Sequence, residues 1–175
     1  EILRCLVGSE MCIRDSEKVY QASKEDPSLY GMGTTVVAAM VLGKTVYVVN
    51  VGDSRLYVCK ESLTQVTVDH SLVEEMVQSG KLQKEEMRTH PNKNIITRAL
   101  GTNPEVKADC FEIEVEEGDV LLLCSDGLSN MMEDKTIEAI IKKNPEDMEQ
   151  AARQLVDEAN KAGGKDNISV VLVRI

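Results

Sequence analysis

The chain has 175 residues, of which 42% are hydrophobic and 29% are charged, so we expect one globular domain and not a disordered chain. Acidic residues outnumber basic ones by 30 to 20, and the formal net charge is −10. This balance argues against nucleic-acid binding, which needs a basic stripe. No apolar run approaches the ~20 residues of a membrane helix, so we expect no membrane contact.

Residues 1–16, EILRCLVGSEMCIRDS, do not fit the rest of the sequence. Their apolar positions follow no clean period, and they have no basic start before a long apolar core, so a signal peptide is not indicated. The segment resembles translated adapter sequence, and we predict that it is non-native. Residues 17–25 read as the last turns of a helix that ends at Asp26-Pro27.

Apolar, β-branched runs separated by short turns predict an antiparallel meander of four strands, at residues 34–43, 45–53, 55–60 and 63–68. Further strands are predicted at 94–101, 108–117, 120–125 and 167–175, and helices at 72–80, 83–88, 134–143 and 145–161. Several strands are apolar on both faces, which indicates sheets that are covered on both sides. We therefore predict an α+β fold: a four-layer αββα sandwich with two mainly antiparallel sheets between helices.

The five cysteines are Cys5, Cys12, Cys59, Cys110 and Cys124, and they form no Cys-x-x-Cys pair. The last three lie in apolar strand patterns, so we expect buried, reduced side chains and a cytoplasmic protein. No cysteine-phosphatase loop, Gly-x-Ser-x-Gly motif or P-loop is present. With only two histidines, a histidine-rich zinc site is not expected.

Three aspartates lie where an apolar strand meets a turn. Asp53 follows YVVNVG, Asp126 follows VLLLCS, and Asp166 precedes the last strand. Carboxylates at such strand ends can converge on a divalent cation. Each also has a purely structural interpretation: Asp53 as part of a hairpin turn, Ser125 or Asp126 as the N-cap of a short helix, and Asp166 as an Asx-turn. The carboxylate surplus, likewise, either serves solubility or includes cation ligands.

Five sequence blocks carry a family resemblance: GMGTTVVAAMV, NVGDSRLYV, VDHSLVEEMVQSGKLQKEEMRTHPNKNIITRALG, VLLLCSDGLSNMM and GGKDNISVVLV. In this order they resemble the bacterial metal-dependent Ser/Thr protein phosphatases of the protein phosphatase 2C, or PPM, type. The resemblance covers residues 17–175, which we treat as a partial phosphatase domain. It implies a β-sandwich flanked by helices, in agreement with the fold predicted from the strand patterns.

The resemblance also implies residue roles. Asp126 and Asp166 inherit metal binding, and Asp53 inherits a weaker role at a third metal. It implies two or three Mn²⁺ or Mg²⁺ ions, a metal-activated water in place of a protein nucleophile, and phosphorylated protein substrates of a bacterial Ser/Thr kinase. Residues 69–91, termed the flap here, would lie beside the site, with His70 and His90 as structural residues. We expect a monomer.

The sequence departs from the family pattern at its start. The expected N-terminal acid, the phosphate-contacting arginine and the D-G-x-G-G motif, whose aspartate bridges two ions, are missing; Tyr30 precedes Gly31-Met32-Gly33 instead. We therefore expect a domain that lacks its first strands, weak metal binding, exposed apolar sheet edges and an inactive, poorly soluble chain. Asn130 stands where many members have a second acid. We expect little effect on metal binding, because the metal-binding carboxylate is the one that precedes Gly127.

Three interpretations of the function remain at this point. In the first two, the chain is either a fragment of a phosphatase or a non-catalytic phosphate-binding or regulatory module of the same fold. An upstream D-G-x-G-G motif in frame would favour the enzyme. A plain α/β domain with acidic turns and no cation site is the third interpretation, and the five ordered blocks argue against it.

Overall fold

The computed structural model describes residues 2–175, with side chains from residue 10 onwards. Its elements are, in chain order, α1 (Ile2–Glu25), β1 (Val36–Leu42), β2 (Thr45–Val51), β3 (Arg55–Cys59), β4 (Leu63–Gln65), α2 (Leu72–Gln78), β5 (Asp109–Glu114), β6 (Val120–Cys124), α3 (Asp126–Ser129), α4 (Asp134–Lys143), α5 (Met148–Lys161) and β7 (Val170–Arg174). Short 3₁₀ turns occupy Pro27–Leu29 and Lys84–Thr89.

Two antiparallel sheets form the centre of the molecule. The first sheet has the order β1-β2-β5, and the second has the order β4-β3-β6-β7. Apolar residues of β2, β3 and β6 pack between the sheets, with Val46, Leu56 and Leu121 fully or almost fully buried. Burial of apolar surface in such a layer is the main driving force for folding.

Helices cover the outer faces of the two sheets. Tyr57 and Leu122 of the second sheet pack with Ile137 of α4 and Leu155 of α5 in one buried cluster. On the other side, Cys12 of α1 packs with Val51 at the end of β2. The predicted α+β, four-layer αββα architecture is therefore confirmed. None of the described helices is both long and apolar enough to span a lipid bilayer.

Three predicted elements differ from the observed ones. The four-strand meander is wrong because the chain changes sheets after β2, so β3 pairs with β4 and β6 instead. Residues 94–101 form no strand, only isolated bridges at Ile96 and Leu100. The first helix begins at Ile2, not near residue 17, and buries Cys12 and Ser16. Whether residues 1–16 are native stays a prediction.

The four cysteines whose side chains the structure describes divide into two groups. Cys12, Cys59 and Cys124 are free and buried, as expected for small apolar side chains. Burial raises the pKa of the Cys124 thiol to about 12. Cys110, in contrast, is disulfide-bonded, so the expectation that it is reduced is wrong for this structure. Its place near the start of β5 looked like an ordinary apolar strand position, and spacing alone carries no pairing information.

Candidate metal centre

The three predicted aspartates all lie where β-strands meet loops, and two of them face one cleft. Asp53 lies in the loop that carries the chain from β2 in the first sheet to β3 in the second. Asp126 follows β6 directly and begins α3. The cleft beside them is bounded on one side by the flap and on the other by α3; it is lined by Asp53, Arg55, Asp69, Arg88, Asp126 and Asn130, among others.

Burial and the charge of a neighbouring aspartate perturb the two cleft aspartates. Desolvation, followed by the charge of Asp126, raises the pKa of Asp53 to about 6. Desolvation, followed by the charge of Asp166, raises the pKa of Asp126. Backbone N–H groups and the positive charge of Arg55 oppose both shifts. Because like charges brought together in a partly buried site favour a compensating cation, this arrangement suits a divalent ion.

Asp166 does not line the cleft, but it is near enough for its charge to act on Asp126. The two segments approach so closely that a Cβ atom on Gly127 would lie 2.3 Å from the backbone oxygen of Asn167. Ser125 fixes the same contact, since its Oγ donates to Asn167 O and accepts from the N–H of Ser169, both at 3.0 Å. Gly127 is thus needed for close packing of two backbones, and it does not adopt a positive φ.

The structural alternatives for these aspartates are only partly realised. The side chain of Ser125, the N-cap residue of α3, makes no capping hydrogen bond, so the N-cap interpretation does not account for this turn. Asp166 Oδ1 accepts from the N–H of Asn167 at 2.7 Å, which is a local turn contact. Asp53 lies in a crossover between sheets, so the hairpin interpretation is wrong.

Neighbouring side chains orient the cleft acids. Asn130 Nδ2 donates to Asp126 Oδ2 at 3.1 Å. Arg55 donates to both carboxylate oxygens of Asp69, with Nη2 2.6 Å from Oδ2, and to Tyr57 Oη at 2.9 Å. This largely buried, bidentate ion pair holds the Arg55 guanidinium against Asp69, the first residue of the flap.

Sequence reasoning missed Arg55, Asp69 and the orienting contact of Asn130. Arg55 stands two residues after Asp53 in the G-D-S-R block, and this adjacency was the available signal. Its partner Asp69 lies 14 residues further along the chain, a separation that no local pattern reveals. Neither His70 nor His90 lines the cleft.

The flap is docked on α3 by one arginine. Arg88 Nη2 donates to the backbone oxygens of Ser129 and Met132 at 3.0 and 2.6 Å. Two carbonyls at the end of a short helix thereby gain a charged donor. The flap therefore lies against the same short helix that begins with Asp126.

The donor set fits a hard divalent cation in chemistry but is incomplete in number. Carboxylate oxygens without Cys or His are the ligands that Mg²⁺ and Mn²⁺ prefer. Among the described residues, however, no three His, Cys, Asp or Glu side chains cluster tightly enough to hold one ion together. The carboxylates interact in pairs: Asp126 with Asp53 in the cleft, and Asp126 with Asp166, which does not line it.

Known proteins share this architecture. Residues 78–175 match the family model described as stage II sporulation protein E (SpoIIE), and residues 7–76 match protein phosphatase 2C. The solved PPM Ser-Thr phosphatase MsPP from Mycobacterium smegmatis, in complex with cacodylate, is 37% identical with a TM-score of 0.75, over 89% of this chain and 70% of that one. The chain belongs to the PPM-type, or protein phosphatase 2C, family.

Two further PPM-type relatives set the extent of the match. The serine/threonine phosphatase stp of Listeria monocytogenes serotype 4b (strain F2365) is 42% identical over 159 residues, which are 90% of this chain and 63% of that protein. The catalytic domain of the phosphatase PstP, solved with two manganese ions, is 34% identical with a TM-score of 0.80, over 90% of this chain and 65% of that one. This chain therefore spans less than two thirds of either relative.

Proposed function

We propose that the protein hydrolyses phosphoserine and phosphothreonine in proteins, with Asp126, Asp166 and Asp53 as metal ligands. The observation that supports this most directly is the mutual perturbation of the acids. Asp53 and Asp126 each have a pKa raised by burial and by the charge of a neighbouring aspartate. A bound Mn²⁺ or Mg²⁺ would relieve that repulsion. The PstP relative solved with two manganese ions supports two such ions, and the third, at Asp53, is part of the proposal.

Each acid would have a separate task. Asp126 and Asp166, from either side of the Gly127 contact, would hold the catalytic ions, and Asp53 would hold a further ion at the cleft. When bound, such ions lower the pKa of a water molecule and neutralise phosphoryl oxygens. Asn130 would keep the Asp126 carboxylate in one orientation through its hydrogen bond, so that no reorganisation is needed when the ligand arrives.

We propose that the 175-residue chain is itself inactive. The chain has no D-G-x-G-G motif, and Tyr30 precedes the separate GMGTT block, so the catalytic pair would lack the shared aspartate ligand that the family takes from that motif. The test compares Mn²⁺-dependent release of phosphate from a phosphothreonine peptide by this chain and by a longer protein that carries the upstream D-G-x-G-G motif. The longer protein should turn over, and its Asp126→Asn variant should lose at least about 10²-fold in rate.

Two results of that comparison would contradict the proposal. Turnover by the 175-residue chain would overturn the inactivity claim, and an undiminished Asp126→Asn variant would overturn the assigned role of Asp126. Removal of metal by a chelator should abolish the activity of the longer protein, and added Mn²⁺ should restore it.

A non-catalytic phosphate-binding or regulatory module is the second candidate function. The cleft argues against it, because its partly buried aspartates repel a phosphate anion unless a cation lies between them. Direct phosphate binding in the presence of a chelator would favour the module. Binding that requires Mn²⁺ would favour the enzyme.

Substrates and cellular setting follow from the same proposal. We propose phosphoproteins as substrates, in opposition to a bacterial Ser/Thr kinase, and a monomeric, cytoplasmic enzyme without nucleic-acid or membrane partners. The acidic balance of the chain, at a net charge of −10, supports the absence of nucleic-acid binding.

A further inference from the structure

Both backbone groups of Gly52, the residue before Asp53, are bonded to one buried histidine. The Gly52 N–H donates to His70 Nδ1 at 2.9 Å, and Gly52 O accepts from the His70 N–H at 3.0 Å. Asn50 Nδ2 adds a donor to the same oxygen at 3.3 Å. His70 is only 6% exposed, so these bonds are shielded from competing water.

The contacts of the ring determine where its proton lies. A backbone N–H can only donate, so His70 Nδ1 must carry a lone pair, and the proton of the neutral ring is on Nε2. Nε2 lies 3.1 Å from Asp109 Oδ2 and 2.9 Å from Arg98 Nη1. The two N–H hydrogens of Arg98 Nη1 have other acceptors, so Asp109 is the acceptor for the Nε2 proton. Arg98 Nη1 donates to the other oxygen of Asp109 at 2.8 Å and to Lys107 O at 2.8 Å. The carboxylate thus holds the ring in the tautomer that accepts from Gly52.

Gly52 needs this support because its backbone is unusual. Its φ of +112° favours glycine, and a Cβ atom there would lie 2.3 Å from Thr35 Cγ2. Immediately after it, the chain leaves the first sheet for the second. On the other side of Asp53, Ser54 Oγ is hydrogen-bonded to Thr35 Oγ1 at 2.9 Å. Asp53 is therefore held between two fixed residues.

We infer that His70 is a positioning residue for Asp53: its ring, oriented by Asp109 and Arg98, fixes the Gly52–Asp53 crossover and so places the Asp53 carboxylate in the cleft. The inference rests on the proposed metal-dependent function, in which Asp53 is a ligand. His70 would act through hydrogen bonds to the backbone, without contact to the ion. Because His70 follows Asp69 directly, the same residue anchors the start of the flap to the crossover.

The first test is made without metal, by NMR on the labelled 175-residue chain. A through-hydrogen-bond coupling should join the amide nitrogen of Gly52 to Nδ1 of His70, and Nε2 should carry the proton. Replacement of Asp109 by Asn (Asp109→Asn) should reduce or abolish that coupling, because an amide at this position can donate to Nε2 and favour the other tautomer. No coupling in the unchanged chain would overturn the inference.

The second test titrates Mn²⁺ alone and follows line broadening at the Asp53 and Asp166 amides separately. His70→Leu should weaken the apparent affinity at Asp53 about tenfold, the usual scale for residues that orient a ligand, and change that at Asp166 less than about twofold. His70→Asn, whose Oδ1 can still accept from Gly52, should recover most of the loss. His90→Leu is the matched control, since the His90 ring accepts a hydrogen bond from Asn92 N–H in its own turn.

The outcomes separate the two proposals. If Mn²⁺ broadens neither the Asp53 nor the Asp166 amide signal in the unchanged chain, the metal-ligand assignment fails, and the Gly52–His70 coupling still tests the role of His70. If Mn²⁺ binds and His70→Leu affects Asp53 and Asp166 equally or not at all, the positioning role is overturned and the metal assignment stands. Should His70→Leu unfold the chain, Asp109→Asn decides by the same comparison.

Discussion

At the scale of single residues, Asp109 offers a measurable link between charge and stability. Burial alone would raise its pKa, but hydrogen bonds from His70 and Arg98 outweigh this and lower it from 3.8. A carboxyl whose pKa is lower in the folded state stabilises the fold at pH values above its unfolded pKa, and this contribution is lost as the pH falls through the folded pKa. The hydrogen bonds should therefore matter at neutral pH and not in strong acid.

We expect Asp109→Asn to lower the free energy of unfolding by about 1 kcal/mol at pH 7, a value reduced for the partial exposure of the side chain. The difference from the unchanged chain should shrink as the pH falls below about 4. Urea unfolding at pH 7 and pH 3 measures both values. Glu112→Gln, an exposed position on the same strand, is the control, and an Asp109→Asn deficit that stays constant with pH would contradict the charge-based account.

At the scale of elements, the sequence correctly indicated that a glycine is needed at Gly127, but it did not show the structural reason. The S-D-G block indicated a turn beside Asp126, whereas the structure shows a close approach of α3 to the segment at Asn167. That approach depends on residues 40 positions apart, which local patterns do not report. The sequence likewise predicted β2 and β3 but missed the change of sheet between them. The pattern of apolar and polar residues along a strand indicates which side chains are buried, but not which strand is the pairing partner.

Gly127→Ala should force apart the two backbones that carry Asp126 and Asp166. A methyl group 2.3 Å from Asn167 O has no flexible side chain to displace, so we expect a loss of about 1–3 kcal/mol in stability and weaker Mn²⁺ binding at both aspartates. Gly43→Ala, at a turn with φ of +61° and open space around it, is the control for backbone strain alone. Unchanged stability and unchanged Mn²⁺ binding in Gly127→Ala would show that the close contact is unimportant.

At the scale of the whole molecule, the two sheets are unequal and their edges are apolar. Four strands in the second sheet face three in the first. The edge strand β7 exposes Val171 and Val173, at 55% and 38%, while β1 at the edge of the first sheet exposes Met40 at 45%. The sequence correctly predicted these runs as strands, and the missing N-terminal block led us to expect exposed apolar edges, although two-sided apolarity by itself indicates cover on both faces. Cover depends on which strands lie opposite, and a run of valines cannot report that.

The exposed edges lead us to expect self-association of the 175-residue chain. Unpaired strand edges with exposed apolar side chains are templates for pairing with other chains, and lysine on an edge opposes that pairing by charge and desolvation. Replacement of both Val171 and Val173 by Lys should lower the weight-average mass seen by light scattering at micromolar concentration. The control replaces Ile95 and Ile96, which are 47% and 38% exposed outside the strands. Both double substitutions add the same positive charge. An equal decrease in mass in the control would therefore show that the net charge, and not the edge of β7, controls self-association.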